Sequence, residues 1–345
     1  MVAKVFPEPE LFLPGTGEPS LRWGILAPGG IAAAFARAVH THTAQRVTAV
    51  ASRSPERAAA FAARHGIERV RSSYLELVED PEVDVVYVAA PQSEHLALGL
   101  LALGAGKHTL IEKPMATTAD DARRLARAAR DAGVLLMEAM WSRYLPQAAV
   151  LRALLADGVL GEVRAVSADH GQAIPFDPAH RLYRPELGGG ALLDLGIYPV
   201  QLASMVLGPP TGVTAVGGLT STGVDAHATV VLRHEGDAQS TLTTSIVTRT
   251  PTVAVVAGSQ ARIEMAGPFH VPTTMVLAGN DFFGETITWQ DPSWVRLMDG
   301  LSWEATALAR YVGEGRTESP VHTLEETISI LGTIDEARRQ LGCAP

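Results

Sequence analysis

Trp23-Gly24-Ile25-Leu26-Ala27-Pro28-Gly29-Gly30-Ile31-Ala32 is the stretch that decides the fold. A short apolar run, 23–26, ends in a Gly-rich turn and passes into the Ala-rich segment 31–40. This reads as the strand–turn–helix that opens a dinucleotide-binding βαβ unit, the plainer alternative being a Gly-rich αβ turn of purely structural meaning. Against the pattern GxGxxG/A, Ala27 takes the first glycine position, Gly29 the second and Ala32 the third. With no Cβ, Gly29 lets the backbone approach a pyrophosphate, which is expected to rest on the N-terminus of the helix over 31–40, beside Gly30 and Ile31. Reading outward, apolar runs at 46–52, 83–90, 108–112 and 134–138 alternate with helical segments. One helix has Ser54 as N-cap, Pro55 in its first position and Gly66 just past its end; another runs over 93–105; a third is capped by Thr118 and ended by Gly133. Continuous apolar strands separated by helices specify a parallel sheet covered on both faces.

The pattern changes after about Trp141. A helix near 146–157 and a strand near 163–170 lead into a loop rich in Pro, His and Arg, then to Gly188-Gly189-Gly190 and a helix over about 191–207. Residues 212–290 show alternating Val/Thr runs, such as 226–233 and 240–247, which predict an antiparallel sheet with one wet face. Helices are expected near 303–313 and 324–341, the last packing back towards the first domain. The expected organisation is therefore a flexible leader over 1–20, an α/β Rossmann domain over 21–141, and an α+β domain over 142–345 with a large open, mostly antiparallel sheet.

With 47% hydrophobic and 19% charged residues, the chain has the apolar material for two cores, which excludes a disordered protein. The net charge of −9, with arginines scattered rather than clustered, speaks against nucleic-acid and anionic membrane partners. The single cysteine, Cys343, leaves no intramolecular disulfide and no Cys-based metal site, and the histidines lack HExxH spacing, so no metal is expected. Prolines 7, 9, 14 and 19 break up any signal-peptide core, and the apolar segment 188–208 contains Asp194, Pro199 and Gln201. A cytoplasmic protein is expected.

Three further places carry chemistry. The second strand ends Ala51-Ser52-Arg53, where an NAD enzyme carries a carboxylate for the adenine ribose. Arg53 instead suits a 2′-phosphate, with Ser52 as a further donor and Arg57 one turn into the next helix. The cofactor expectation is NADP(H) preferred, NAD(H) possible. Lys113 follows an apolar strand at its carboxyl end, the position of active groups in open α/β sheets. Asp194 and Tyr198, four residues apart in an apolar segment, share a helix face. The plainer alternatives are a solvated Arg53 and Lys113, with Asp194 bonded locally and Tyr198 as core filler.

Glu112-Lys113-Pro114 after a Gly-rich strand–turn–helix resembles the glucose-fructose oxidoreductase/inositol dehydrogenase (Gfo/Idh/MocA) family. Further points of resemblance are Ala90-Pro91 with His95, Gly106-Lys107-His108, the segment from Glu138 through Trp141 and Arg143 to Pro146, and Asp194-Leu195-Gly196-Ile197-Tyr198. These bring the chain close to the branch containing dimeric dihydrodiol dehydrogenase and NADP-linked D-xylose dehydrogenase. The resemblance implies an oxidoreductase that moves a hydride between nicotinamide and a carbinol or carbonyl carbon of a sugar, cyclitol or cyclic diol. It implies Lys113 and Tyr198 as the catalytic pair and Asp194 as a group that orients substrate hydroxyls or tunes Lys113. Ala90, Pro91, His95, Glu112 and Lys113 are then expected beside the cofactor, and Trp141 and Arg143 beside the substrate. It further implies a homodimer or homotetramer through the C-terminal sheet. A ketosugar or sugar-nucleotide reductase and a non-catalytic NAD(P)-sensing regulator are the alternatives.

Overall fold

The computed structural model describes residues 5–281 and 283–343, so the first four residues of the expected leader lie outside the described residues. The chain divides into two compact units, Phe12–Leu145 with Arg296–Ile328, and Pro146–Val295 with Met1–Leu11 and Ser329–Pro345.

The first unit is built on β1 (Arg22–Leu26), α1 (Gly30–His42), β2 (Arg46–Ala51), α2 (Pro55–His65), β3 (Arg69–Arg71), α3 (Tyr74–Val78), β4 (Val85–Val88), α4 (His95–Gly104), β5 (His108–Glu112), α5 (Ala119–Ala132) and β6 (Leu136–Ala139). The strands lie in the order β3-β2-β1-β4-β5-β6 and every pairing is parallel. Every residue of β4 and β6 is buried, as continuous apolar strands between helices require. The caps read from the sequence do their work: the Ser54 and Thr118 hydroxyls accept from the amides of Arg57 and Asp121, and Gly66 and Gly133 close their helices in left-handed conformation. The strand order reverses between β1 and β4, which creates a crevice at their carboxyl ends.

The second unit contains α6 (Pro146–Ala156), β7 (Val163–Gly171), α7 (Ile197–Leu207), β8 (Gly212–Leu219), β9 (Asp225–Arg233), β10 (Gln239–Ser245), β11 (Ala254–Gly258), β12 (Ala261–Met265), β13 (Thr274–Gly279) and β14 (Thr286–Gln290). Its eight strands run β14-β13-β12-β11-β7-β10-β9-β8, antiparallel except for the β7–β10 pair. The apolar segment considered for a membrane packs α7 onto β7 and β10, and its residues from Ala191 to Ser204 are buried.

Two features depart from the sequence reading. α8 (Leu301–Gly313) packs on α1, and Arg296–Ile328 groups with the nucleotide-type unit rather than with the sheet unit expected over 142–345. α9 (Leu324–Leu341) begins in the first unit and finishes in the second. Residues 12–20, expected to be loose, are tied down instead. Phe12 is 9% exposed, its ring edge-on to Tyr144 and Tyr311, and the Gln45 side chain donates to the Pro19 carbonyl. An aromatic anchor and a satisfied carbonyl outweigh the disorder that a Pro/Gly-rich composition favours.

Candidate active site

At the carboxyl end of β1 the chain turns through Ala27, which is left-handed with φ 57° and donates its amide to the Ala51 carbonyl at 3.0 Å. That is the conformation for which the fingerprint ordinarily uses glycine, so Ala27 carries a small local strain. Gly29 is the N-cap of α1 and no side chain caps that terminus, whereas α2, α3 and α5 are closed by Ser54, Ser73 and Thr118. A Cβ built on Gly29 or Gly30 meets nothing within 4 Å. An uncapped helix N-terminus with open space before it fits the pyrophosphate of a dinucleotide. At the tip of β2 the Ser52 hydroxyl accepts the Ser54 amide at 3.2 Å. The Arg53 side chain is 74% exposed, with the Glu94 carboxylate 3.9 Å away, and Arg57 is exposed on the first turn of α2.

The neighbouring crevice wall is formed by Ala90-Pro91 and Lys113-Pro114, which β4 and β5 present at the same sheet edge. His95, expected to touch cofactor, is 1% exposed and turned inward, with Nδ1 2.8 Å from the Pro114 carbonyl and Nε2 2.9 Å from the Ala90 carbonyl. Burial lowers its pKa against the pull of those two carbonyls. The ring thus pins the two loops together. Lys113 is half-buried and its amide donates to Glu112 Oε2 at 3.1 Å, while the Tyr87 hydroxyl donates to Glu112 Oε1. Beneath Met115 the buried Glu138 accepts from the Met115 amide (2.8 Å), His322 Nε2 (2.8 Å) and the Thr327 hydroxyl (2.9 Å). Trp141 is buried, and so is Arg143, expected beside the substrate; its guanidinium lies 2.6 Å from Glu326.

In the second unit, a π-helical turn at Leu192–Gly196 leads into α7 and carries Asp194, with Tyr198 on the first turn of α7. The two are 6% exposed each. Arg181 holds Asp194 with two nitrogens, at 3.1 and 3.2 Å. The turn itself is fastened from below: Asp225 Oδ2 accepts the Leu192 amide at 2.6 Å, and Gly190 (φ 118°) passes so close that a Cβ would lie 2.1 Å from Asp225 Oδ1. Burial pushes the Asp225 carboxyl up to about 6 in spite of the Leu192 amide and the Arg338 charge.

Two residues absent from the sequence reading of the site stand against Tyr198. The His170 ring, from the end of β7, is 5.5 Å from the Tyr198 ring, and His270 is 4.3 Å from Tyr198 and 4.4 Å from His170. Gln147, donating to the Val271 carbonyl, and the Phe269 amide, donating to Thr252, hold the turn that carries His270. His170 and His270 line a cavity of about 590 Å³. His170 carried one weak signal, a titratable residue at an inward-facing strand position; His270, in a turn, carried none.

A six-stranded parallel sheet with an open Gly-rich turn at its switch point, joined in sequence to an open-sheet unit with buried ionisable groups, defines a dinucleotide-dependent oxidoreductase. Residues 21–140 match the family model for an oxidoreductase family with an NAD-binding Rossmann fold, and residues 149–264 match the GFO/IDH/MocA C-terminal domain. The chain belongs to the GFO/IDH/MocA oxidoreductase family and uses a nicotinamide cofactor. It is 36% identical to trans-1,2-dihydrobenzene-1,2-diol dehydrogenase of Macaca fascicularis, over 94% of this chain and 97% of that one. Among solved structures it is similar to a 3-ketoreductase from Actinomadura kijaniata in complex with NADP and TDP-benzene (TM-score 0.80, 29% identity, 93% and 98% of the two chains). It is also similar to the aldose-aldose oxidoreductase of Caulobacter crescentus (TM-score 0.83, 26% identity, 94% and 98%).

Proposed function

We propose that the protein is a cytoplasmic, NADP-preferring dehydrogenase acting on a carbinol carbon of a sugar, cyclitol or cyclic diol, with Lys113 and Tyr198 moving the proton. One observation carries this reading. Tyr198 is a buried phenol in an apolar helix, four residues from Asp194 and beside two imidazoles, in a chain whose similar dehydrogenase is named for a cyclic diol. Bound nicotinamide supplies the hydride acceptor in oxidation and the donor in reduction. The rest falls to this chain. Tyr198 takes the hydroxyl proton as the carbinol becomes a carbonyl and returns it in the reverse direction. A Lys113 ammonium brought near the phenol would favour its phenolate form by opposite charge.

Ala27, Gly29, Gly30 and Ile31 receive the pyrophosphate, and Ser52, Arg53 and Arg57 the 2′-phosphate. Ala90, Pro91 and Glu112 border the nicotinamide, and His95 fixes the carbonyls of Ala90 and Pro114. Asp194, oriented by Arg181, receives substrate hydroxyls; Trp141 borders the substrate, and Arg143 supports its turn through Glu326. Val216 and Leu219, exposed on the edge strand β8 of the large sheet, support assembly into a homodimer or homotetramer. The similar NADP-bound 3-ketoreductase favours a second reading, reduction of a keto-sugar nucleotide at the same site.

Tyr198→Phe tests the assignment. NADP affinity is expected to survive while turnover on aldoses, inositols and diols falls by about 10²–10⁴-fold. Lys113→Ala is expected to be at least as damaging. Near-normal turnover of Tyr198→Phe overturns the acid/base role.

A further inference from the structure

The cavity beside Tyr198 has a charge composition that the hydride chemistry does not need. His270 both packs on the Tyr198 ring, 4.3 Å away, and lines the cavity. Among the described residues, its walls include His170, Gln172, Arg249, Thr250, Pro268 and His270, and no aspartate or glutamate. Arg249 is exposed, and among the described residues its guanidinium has neither a hydrogen-bond nor an ion-pair partner. The Asp169 carboxylate is taken up by the backbone of the wall itself, accepting the Thr252 amide at 2.7 Å and the Val253 amide at 3.1 Å. The Asp194 carboxylate is held by Arg181.

A guanidinium at the wall of a concave site with no carboxylate in that wall favours an anionic ligand, for which its planar fork is suited. A volume of about 590 Å³ is in the range of small-molecule sites and holds more than one sugar ring. We propose that this cavity is an anion-accepting subsite: the ring oxidised or reduced at Tyr198 carries a phosphoryl or carboxylate group that Arg249 holds. The inference deepens the reading of Tyr198 as the acid/base and rests on it. It narrows the substrate from a neutral polyol to an anionic sugar derivative, either a phosphate ester (free or as a nucleotide) or a sugar acid.

The test is equilibrium binding, which does not depend on turnover. The NADP-loaded protein is titrated calorimetrically with D-glucose, D-glucose 6-phosphate, D-glucuronate and inorganic phosphate, in the unmodified form and as Arg249→Gln. The anionic sugars are expected to bind at least about tenfold more tightly than glucose, as one charge-assisted contact provides. Arg249→Gln should collapse that ratio towards one. Preference for the phosphate ester assigns a phosphoryl group, and preference for glucuronate a carboxylate; either supports the proposal. Equal affinities for glucose and both anions, a preference that survives Arg249→Gln, or no binding of any anion overturns it. Failure of the underlying reading shows separately, as Tyr198→Phe retaining turnover.

Discussion

The Tyr198 and His270 rings lie with their centroids 4.3 Å apart and their planes 32° from parallel, and the His170 ring completes the group at 4.4 Å from His270. The phenol is therefore clamped by rings contributed from β7 and from the turn after β12. Stacked aromatic pairs of this kind contribute about 0.5–1.5 kcal/mol beyond their buried area.

If that clamp holds the Tyr198 hydroxyl in its working position, His270→Ala lowers kcat by roughly tenfold, since small misplacements of a reacting group are costly. His270→Phe, which keeps a ring on Tyr198, should restore most of the loss. Steady-state kinetics of the two variants separate the roles: equal loss in both assigns the effect to imidazole chemistry rather than to stacking.

On the proposed reading, cofactor choice turns on Arg53, whose neighbour Glu94 lies 3.9 Å away. Arg53→Ala is expected to weaken NADP binding by about ten- to a hundredfold while changing NAD little, because a charged contact to the 2′-phosphate is worth about 1.5–3 kcal/mol. Glu94→Gln removes an exposed competitor and should tighten NADP by no more than about fivefold. Fluorescence titration with both cofactors checks the pair; equal affinities for NADP and NAD in the unmodified protein would leave Arg53 a solvated residue.

Asp225 makes stability depend on pH. Burial raises its carboxyl to about 6, so the folded state holds the proton more tightly than the unfolded chain does. That contribution is complete below about pH 4, the ordinary aspartate value, and is lost as pH rises to and through about 6. The total is on the order of 3 kcal/mol. Asp225→Asn keeps an oxygen for the Leu192 amide without the charge. Its denaturant midpoint should therefore rise relative to the unmodified protein between pH 4 and pH 7, and a constant difference across that range would refute the linkage.

Glu138 works in the opposite sense. Burial pushes its carboxyl up, but His322, the Met115 amide and Thr327 outweigh burial and hold it below the ordinary range. Its stabilisation is present above the ordinary glutamate value and is lost as pH falls through the depressed one. Glu138→Ala strands three buried donors, so a loss of about 3–5 kcal/mol in chemical denaturation is expected. Glu138→Gln should lose less, and its stability should no longer fall with acid in the way the unmodified protein's does.

The sequence by itself determined the elements whose signals are local. Apolar runs and 3.6-residue periodicity, with caps at Ser54 and Thr118 and glycines at 66 and 133, marked the strands and helices of the nucleotide-type unit, because each depends on the dihedrals and contacts of a few neighbouring residues. Strict alternation marked the antiparallel sheet for the same reason. Lys113 at the end of an apolar strand, and Asp194 with Tyr198 on one helical segment, were legible on those grounds too. Only the tertiary structure decided which side chains meet. Arg181 reaching Asp194, Asp225 fastening the Leu192 turn, and His170 with His270 converging on Tyr198 all depend on sheet register and on loops that close far along the chain. The inward turns of His95 and Arg143, and the return of Arg296–Ile328 to the first unit, are of that kind. Such contacts follow from burying apolar faces and satisfying buried polar groups across the whole chain, and no short window of sequence contains that balance.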